Sequence, residues 1–472
     1  MIYTDTRDSK VQADFRTAVM SGMNAETGGL YIPVAFPKLE PSFINKNPEP
    51  SFRDIAFTMA KPYVEGEIPD DDLMEIIQDA YPFTPKVVPV DNTSYVLELF
   101  HGPTCAFKDF GARFMARVMS YFNRSENGTL HILVATSGDT GSAVGSAFHN
   151  VPGLDVTILY PEGKISEIQE KQLSTFTGNV RALKVKGTFD DCQKLVKTAF
   201  TDEELRKEFR LSSANSINIS RLLPQSFYYM YSSLVVKNRA PLDSKIEKPS
   251  IITIVPSGNF GNLTSGLIAK EMGAPIRGFV AATNTNRTIP DWIATGDYTA
   301  RASVETYANA MDVGAPSNYE RIKAMYTLEQ VRSMFASYWL DNDGIKDAIN
   351  SCNTRTGYVI DPHGAIGWKA WDDIRGGAMD ALVNGQKNDF TKPGLTPNAP
   401  EWANEIVQKN AVGIILETAH PAKFGSIVKD SIGREPAIPQ RLQDVMALPD
   451  RAVPIENNYE LFKDWLKANL SK

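Results

Sequence analysis

The sequence contains few residues that form disulfides or bind metals. Its cysteines, Cys105, Cys192 and Cys352, are odd in number, lie far apart and include no C-x-x-C pair. A disulfide framework and a cysteine-based zinc site are therefore not expected. The five histidines also lack the spacing of metal ligands. We expect no metal site.

Long apolar runs and an excess of positive charge are also missing. No segment approaches the roughly 20 apolar residues that cross a bilayer, and the N-terminal residues 1–7 contain no apolar core typical of a signal peptide. With 49 basic and 56 acidic residues the net charge is −7, so no nucleic-acid or anionic-membrane partner is expected. The sequence predicts a cytoplasmic protein.

The length predicts two or three domains, because 472 residues exceed what one hydrophobic core accommodates. We interpret roughly the first 90 residues as an N-terminal domain that ends in the connector Tyr81–Pro85. Residues 12–23 are predicted to form an amphipathic helix, and a second helix begins at Pro69. The aspartates Asp70–Asp72 are interpreted as partners of the helix N-terminus rather than as metal ligands.

The middle of the chain alternates apolar strand candidates with helical segments, which is typical of a parallel α/β sheet. The unbroken apolar character of several candidates indicates strands covered on both faces. Residues 391–400 are predicted to form a surface loop, and a helix containing Leu461, Trp465 and Leu466 closes the chain. The strand candidates are His131–Ala135, Val156–Tyr160, Ile251–Val255, Gly278–Ala281, Gly357–Ile360 and Val412–Leu416.

One segment, His101–Phe114, places a lysine at a strand-to-helix junction. A predicted strand over residues 95–100 precedes it, and phenylalanines and a valine recur every four residues after it. Burial among aromatic rings and the positive end of the helix would both lower the pKa of Lys108. A neutral lysine amine is a nucleophile that can form a Schiff base. The alternative is a surface lysine paired with Asp109.

Two loops between a buried strand and a helix are rich in glycine, serine, threonine and asparagine: Thr136–Ala143 and Pro256–Asn262. Backbone amides and hydroxyls in such loops suit a carboxylate or a phosphate. Neither loop matches G-x-G-x-x-G or the P-loop pattern. Glu162 does lie where a ribose-binding acid would, so nucleotide binding stays open, and so does a plain strand-to-helix turn.

A third loop, residues 417–424, follows the strand at 412–416. Thr418 there can donate or accept one hydrogen bond, whereas His420 alone is more often structural. A nucleophilic lysine, a phosphate-binding loop and a second anion-binding loop fit pyridoxal phosphate (PLP), which needs a Schiff-base lysine, a phosphate site and a partner for its pyridine nitrogen. The alternative is a nucleotide- or phosphosugar-binding α/β protein without covalent chemistry.

These segments, taken in order, resemble the threonine synthases of the longer type, which belong to the fold type II (tryptophan synthase β-like) PLP enzymes. The resemblance implies an α/β fold in which two open α/β domains flank the cofactor and an N-terminal domain is added. The implied limits are 1–90, 91–240 and 241–472, with the last two domains interleaved. The segments that carry the resemblance are Gly28–Pro33, His101–Phe114, Thr136–Ala143, Ser213–Asn218, Pro256–Asn262, Asn309–Asn318, Asp361–His363 and Thr418–Phe424.

The resemblance also implies roles for individual residues. Lys108 would bind PLP as a Schiff base and act as acid and base, and Thr418 would meet the pyridine nitrogen. Many relatives have asparagine at Asp139, near the cofactor's 3′-oxygen, which leaves its protonation open. The residues implied to bind the cofactor phosphate are Ser257, Gly258, Asn259, Phe260, Gly261 and Asn262. Those implied to bind the substrate carboxylate are Ser137, Gly138, Asp139 and Thr140.

The implied reaction, the last step of threonine biosynthesis, converts O-phospho-L-homoserine and water into L-threonine and phosphate by γ-elimination and β-addition. It requires a second phosphate site, for which we predict Thr104, Arg113, Asn218 and Arg221. Arg113 could instead form an i,i+4 pair with Asp109. Two other functions stay open: a sister PLP enzyme such as a serine/threonine dehydratase or a cysteine-synthase-like enzyme, and an inactive phospho-ligand-binding protein. Whether the protein is a monomer or a dimer is also left open.

Overall fold

A computed structural model describes residues 1–126, 128–386 and 388–470. Among these residues, no helix is both long enough and apolar enough to cross a membrane. The strands are β1 (Tyr3–Asp5), β2 (Gln12–Ala13), β3 (Tyr31–Pro33), β4 (Lys86–Asp91), β5 (Ser94–Glu98), β6 (Leu130–Ala135), β7 (Leu154–Pro161), β8 (Val180–Lys186), β9 (Arg210–Ser213), β10 (Ser250–Pro256), β11 (Gly278–Thr283), β12 (Phe335–Trp339), β13 (Gly394–Leu395), β14 (Ala411–Glu417) and β15 (Val453–Glu456).

The helices surround three separate sheets, and short 3-10 segments occur at Asn309–Met311 and Pro421–Phe424. The α-helices are α1 (Phe15–Ser21), α2 (Pro41–Ile44), α3 (Phe52–Val64), α4 (Asp70–Ala80), α5 (Lys108–Asn123), α6 (Asp139–Phe148), α7 (Glu167–Ser174), α8 (Phe189–Thr201), α9 (Glu203–Glu208), α10 (Ile219–Leu222), α11 (Gln225–Asp243), α12 (Gly261–Glu271), α13 (Thr288–Thr295), α14 (Tyr319–Met325), α15 (Leu328–Met334), α16 (Asn342–Thr356), α17 (Pro362–Asp373), α18 (Met379–Val383), α19 (Ala403–Val407), α20 (Gly425–Ile432), α21 (Gln440–Met446) and α22 (Tyr459–Asn469).

The N-terminal region combines a small antiparallel sheet, in the order β2-β1-β3, with helices α1, α3 and α4. The helix predicted over residues 12–23 is shorter than expected, because Gln12–Ala13 pair with β1. Asp14 then caps α1 by accepting a hydrogen bond from the amide of Thr17 at 2.7 Å. In α4 the predicted apolar face is buried, while Asp70 and Asp72 bond Lys61 and Tyr121, respectively.

The largest sheet has the order β13-β12-β11-β10-β14-β5-β4 in the described part of the chain. Its inner strands run parallel, and the edge strands β13 and β4 are antiparallel to their neighbours. Helix α17 covers one face so closely that a Cβ added to Gly413 in β14 would lie 2.5 Å from the Trp371 ring. The inner strands are therefore covered on both faces, as their unbroken apolar sequences predict.

The second parallel sheet has the order β15-β8-β7-β6-β9. The two sheets exchange chain segments: β5 precedes β6 in sequence but joins the larger sheet, and β15 near the C-terminus joins the smaller one. The predicted domain 91–240 therefore includes β5, which belongs to the larger sheet, and the predicted domain 241–472 includes β15, which belongs to the smaller sheet. The exchange places the carboxyl ends of β5, β6, β10 and β14 beside the loops predicted to bind ligands.

The strand predictions differ from the structure in both directions, and β8, β9 and β12 are among the strands that were not predicted. Gly357–Ile360, predicted as a strand, connects α16 to α17: Gly357 adopts a left-handed conformation (φ 73°) that ends α16, and Asp361 caps α17. Its apolar residues are there because the connection is partly buried. Conversely, β12 was not predicted, although all five of its residues are buried.

Candidate active site

The segment that precedes α5 pairs with the segment that follows β14. The amide of Phe107 donates to the carbonyl of Thr418 at 2.8 Å, and the amide of His420 donates to the carbonyl of Cys105 at 3.0 Å. Because β5 and β14 are parallel neighbours, the chain continues this contact beyond both strand ends. Lys108, the first residue of α5, and Thr418 are thereby held at the same edge of the sheet.

Lys108 is largely buried, and both negative and positive side chains lie around it. Its side chain is 13% exposed and its Nζ lies 4.0 Å from Asp139 Oδ2 and 4.9 Å from the centre of the Phe107 ring. Burial lowers the pKa of Lys108 to about 8; Asp139 opposes this effect, and the positive charges of Lys423 and Arg221 reinforce it. A substantial neutral fraction at mildly basic pH makes this amine a competent nucleophile and base.

The interpretation of Lys108 as a surface lysine paired with Asp109 is wrong. Asp109 is fully buried and accepts hydrogen bonds from the amide of Thr104 at 2.8 Å and from its hydroxyl at 2.7 Å. The carbonyl of Thr104 accepts from Gln172 at 3.0 Å and from Lys423 at 3.1 Å. Thr104, predicted to contact substrate, thus holds the loop before Lys108, and its donors are already used within the protein.

The loop after β6 brings Asp139 to Lys108. Gly138 adopts φ 131°, and a Cβ there would lie 2.8 Å from Gln169 Nε2, so the position requires glycine. The Thr136 hydroxyl accepts from the amides of Gly138 and Gly141. No side chain caps α6, and the first amides of a helix lack intrahelical acceptors. The amides of residues 139 and 140 can therefore bind an anion, with Ser137 and Thr140 half-buried beside them.

The surroundings of Asp139 favour its ionised form. Its Oδ1 accepts hydrogen bonds from Lys423 Nζ at 2.6 Å and from Gln169 Nε2 at 3.0 Å. Burial raises the pKa of Asp139, but Lys423 and Lys108 lower it more, so the pKa lies well below its usual value. The sequence had left this protonation state open.

Lys423 is a residue of this site to which sequence reasoning gave no role. It lies within Thr418–Phe424, one of the segments that carry the family resemblance. A single lysine in a short 3-10 turn, however, is not part of a periodic apolar pattern that would indicate burial. Its side chain is nevertheless completely buried, at 0% exposure. Only its proximity to Asp139, which is distant in sequence, identifies it as part of the site.

The loop between β10 and α12 is preorganised by its neighbours. Asn259 donates from Nδ2 to the Ser216 hydroxyl at 2.6 Å, and its Oδ1 accepts from the amide of Ser317. Ser257 donates from its amide to the carbonyl of Ala282 at 2.9 Å. Its hydroxyl donates to the carbonyl of Val255, and it must give up this hydrogen bond before it can donate to a ligand. Phe260 adopts a left-handed conformation (φ 59°) immediately before α12.

Three features of this loop fit a phosphate. No side chain caps α12, so its first amides can bind an anion. Asn262 accepts from the hydroxyls of Tyr228 and Tyr229 at 2.6 and 2.8 Å, while its buried Nδ2 has no hydrogen-bond partner among the described residues. A Cβ on Gly258 would lie 2.6 Å from the Met311 Cα, so this glycine permits a close backbone approach. The donors match the PLP phosphate expected here.

Thr418 follows the last residue of β14, the buried Glu417. Thr418 is 6% exposed, and the preceding Glu417 is fully buried. Burial, reinforced by the nearby Asp361, raises the pKa of Glu417 well above its usual value. Thr418 therefore offers a neutral hydroxyl next to a buried carboxyl whose charged form is disfavoured.

Of the cations predicted to bind a substrate phosphate, Arg221 remains a candidate, and its Nε packs against Gly111 of α5. Its side chain is almost fully buried, at 1% exposure. Nη1 donates to the carbonyl of Ala214, whereas Nε has no hydrogen-bond partner among the described residues. Burial lowers the pKa of Arg221 to about 10, so it stays charged at neutral pH. Its charge also lowers the pKa of Lys108.

The structure gives Arg113 and Asn218 other partners. Arg113 donates to the carbonyls of Ala80 and Asp79 at 2.7 and 2.6 Å, so it holds the end of α4; the alternative pair with Asp109 does not form, because its ion-pair partner is Asp79. Asn218 caps α10 and donates to the carbonyl of Val19 at 2.7 Å. These contacts give both side chains a structural role, and their predicted contact with substrate stays a prediction.

We expect Gly258→Ala to weaken PLP binding by about 10- to 100-fold, because its methyl would meet the Met311 backbone and overpacking of this kind costs about 1–3 kcal/mol. Gly261→Ala is the matched control, since its Cβ would lie 3.3 Å from the Asn318 side chain, which can move. Titration of the cofactor-free chain with PLP measures both affinities. Equal affinities for the two variants would contradict the proposed close approach.

Comparison with known proteins accounts for the whole chain. Family models match in three consecutive stretches: "Threonine synthase N terminus" over residues 2–81, "Pyridoxal-phosphate dependent enzyme" over 86–381 and "Threonine synthase, C-terminal" over 399–466. Threonine synthase of Buchnera aphidicola subsp. Baizongia pistaciae is 36% identical over 96% of this chain and 97% of its own length. The chain belongs to the threonine synthase family. The Escherichia coli K12 threonine synthase is also 36% identical, over 94% of both chains.

Solved structures of the threonine synthase family share the whole architecture. The crystal structure from Escherichia coli has a TM-score of 0.82 at 33% identity and covers 100% of both chains. A PLP-bound threonine synthase from Brucella melitensis has a TM-score of 0.82 at 31% identity and covers 99% of both chains. The predicted family, the fold type II α/β architecture and the PLP cofactor are confirmed.

Proposed function

We propose that this chain converts O-phospho-L-homoserine and water into L-threonine and phosphate, with Lys108 as its catalytic residue. The observation that carries the proposal is the position of Lys108, whose Nζ lies 4.0 Å from Asp139 Oδ2, at the sheet edge where the segment before α5 pairs with the segment of Thr418. Membership of the threonine synthase family supports the reaction and the substrate. A sister PLP enzyme acting on serine would not need Arg221 for a second phosphate.

The residues present can hold PLP. Lys108 Nζ would bind it covalently, the first amides of α12 and Asn262 Nδ2 would bind its phosphate, and the Thr418 hydroxyl would contact its pyridine nitrogen. When bound, PLP supplies an electron sink that acidifies C–H bonds next to the substrate nitrogen. Asp139, the predicted neighbour of the 3′-oxygen, would face it as a carboxylate.

The chain's own groups handle the protons and the substrate charges. Lys108 Nζ would remove the proton from the α-carbon, release it, and later remove one from the β-carbon. Asp139 stabilises the resulting ammonium from 4.0 Å. The amides at the start of α6 would bind the substrate carboxylate. Arg221 would bind the phosphate that leaves from the γ-carbon.

The decisive assay measures phosphate release and threonine formation together. With O-phospho-L-homoserine we expect equal amounts of inorganic phosphate and L-threonine, and no turnover of O-acetylserine or deamination of L-serine at a comparable kcat/KM. Ammonia release from L-serine without phosphate release from O-phospho-L-homoserine would instead identify a dehydratase. A PLP-loaded chain inactive on all three would support the phospho-ligand-binding alternative.

The cellular setting follows from composition and cysteine chemistry. Cys105, Cys192 and Cys352 are all free and buried, which agrees with a reducing compartment, and we propose that the protein acts in the cytoplasm. The net charge of −7 supports a small-molecule substrate without a nucleic-acid partner.

A further inference from the structure

A second lysine, Lys423, is more deeply buried than Lys108 and has no role in the proposed chemistry. It lies in the 3-10 turn Pro421–Phe424, directly after the loop that carries Thr418. Its Nζ bonds Asp139 Oδ1 at 2.6 Å and the carbonyl of Thr104 at 3.1 Å. A fully buried ammonium is destabilising unless it is paired. Its burial against a residue of the site therefore calls for a functional explanation.

The two oxygens of Asp139 have different partners. Oδ1 is saturated by Lys423 and by Gln169 Nε2 at 3.0 Å. Oδ2 faces Lys108 Nζ at 4.0 Å, beyond hydrogen-bond distance. One carboxylate is thus shared between two lysines, of which Lys423 is bound tightly and Lys108 loosely.

The donors to Oδ1 form one rigid unit that does not involve Lys108. The backbone carbonyl of Lys423 accepts from the Ser166 hydroxyl at 2.9 Å. Ser166 forms a capping box with Gln169 at the start of α7. Lys423 and Gln169 are therefore fixed to each other as well as to Asp139, so they keep the carboxylate orientation when Lys108 moves.

We propose that Lys423 is a positioning residue that holds Asp139 ionised, neutralises it and aims its second oxygen at Lys108, so that Lys108 can give up and regain a proton during turnover. Without Lys423, Asp139 would be an uncompensated anion whose nearest cation is Lys108. Lys108 would then be held as an ammonium in a permanent ion pair. The inference rests on the proposed role of Lys108 as nucleophile and base.

The other charges around Lys108 determine the direction of the effect. Arg221 from α10 and Lys423 disfavour its ammonium, whereas Asp139 and Asp361 favour it. Asp361 is itself paired with His363 Nδ1 at 2.5 Å. Removing Lys423 leaves one cation and two anions facing Lys108. The ammonium form then becomes more stable, and the pH at which the amine becomes reactive rises.

The test measures how readily Lys108 is acetylated by acetic anhydride as a function of pH. The full-length chain is stripped of PLP, its fold is checked by circular dichroism, and the Lys108 peptide is quantified by mass spectrometry. We expect Lys423→Met to raise the midpoint by about one pH unit and Asp139→Asn to lower it by a similar amount. The double variant should titrate close to Asp139→Asn, because Lys423 acts through Asp139. Lys429→Met, at an exposed position, is the control and should cause no shift.

A second readout uses the holoenzyme. Lys423→Met should move the acid limb of the kcat profile upward by the same amount, and Lys423→Arg, which keeps the charge, should restore most of the wild-type profile. A purely structural role would lower kcat at all pH values without moving the limb.

The proposal fails if Lys423→Met leaves the acetylation midpoint unchanged or lowers it. If that variant does not fold, Lys423→Gln, which also removes the charge, decides in the same way. A double variant that titrates about one unit above Asp139→Asn would show that Lys423 acts on Lys108 directly, and would overturn the positioning role. Acetylation involves neither PLP nor substrate, so its failure is separable from failure of the proposed reaction.

Discussion

Lys108→Ala is expected to lower kcat for O-phospho-L-homoserine by about 10²- to 10⁴-fold, the range that a positioned acid–base group contributes. The variant loses both the nucleophile that binds PLP and the base that moves substrate protons. Borohydride treatment followed by peptide mapping gives an independent readout: the wild-type Lys108 peptide should gain the mass of reduced PLP, and the variant should gain none.

The control for this experiment is Lys207→Ala. Lys207 is 79% exposed and pairs only with Glu203 in the same helix at 3.7 Å, an interaction worth little. Its variant should retain wild-type turnover and cofactor labelling. Labelling of another lysine in wild type, or undiminished kcat in Lys108→Ala, would show that Lys108 was misassigned.

The core of the site was predictable because each part is local in sequence. Lys108, Asp139, Gly258 and Thr418 each lie where a buried strand gives way to a polar loop, and such loops meet at the carboxyl edge of a parallel sheet. What local pattern could not supply was the partner of each side chain. Arg113 has the spacing for a pair with Asp109, but α4 supplies two backbone carbonyls instead.

Lys423 illustrates the same limit more sharply. Nothing around it in sequence indicates burial, and its partner Asp139 lies in α6, which follows β6 of the smaller sheet. The misassigned strand Gly357–Ile360 has a related cause. Its apolar residues are buried by long-range packing, and Tyr358 bonds Glu98 at 2.9 Å, so burial rather than strand pairing selects them.

Arg221→Met is expected to lower kcat/KM for O-phospho-L-homoserine by about 10²- to 10³-fold, since removing one member of a buried charge pair costs about 2–5 kcal/mol. Arg221 Nε is a buried donor without a partner among the described residues, so a phosphate dianion would complete its hydrogen bonding. Inorganic phosphate should inhibit the wild type competitively and the variant much more weakly. PLP affinity should change little, because the cofactor phosphate binds at α12.

Arg113→Met provides the matched comparison, because both arginines carry the same charge and both were predicted from sequence to bind phosphate. Arg113 holds backbone carbonyls at the end of α4, so its loss should reduce stability by about 1–3 kcal/mol and leave kcat/KM within about twofold of wild type, a change of less than about 0.5 kcal/mol. Thermal unfolding and steady-state kinetics of the two variants separate the roles.

An unchanged KM and phosphate inhibition constant in Arg221→Met would remove Arg221 from the substrate site. A loss of kcat/KM confined to Arg113→Met would reverse the assignment. The contrast works because one guanidinium is fully engaged by the fold around it, whereas the other is buried with a donor still to satisfy.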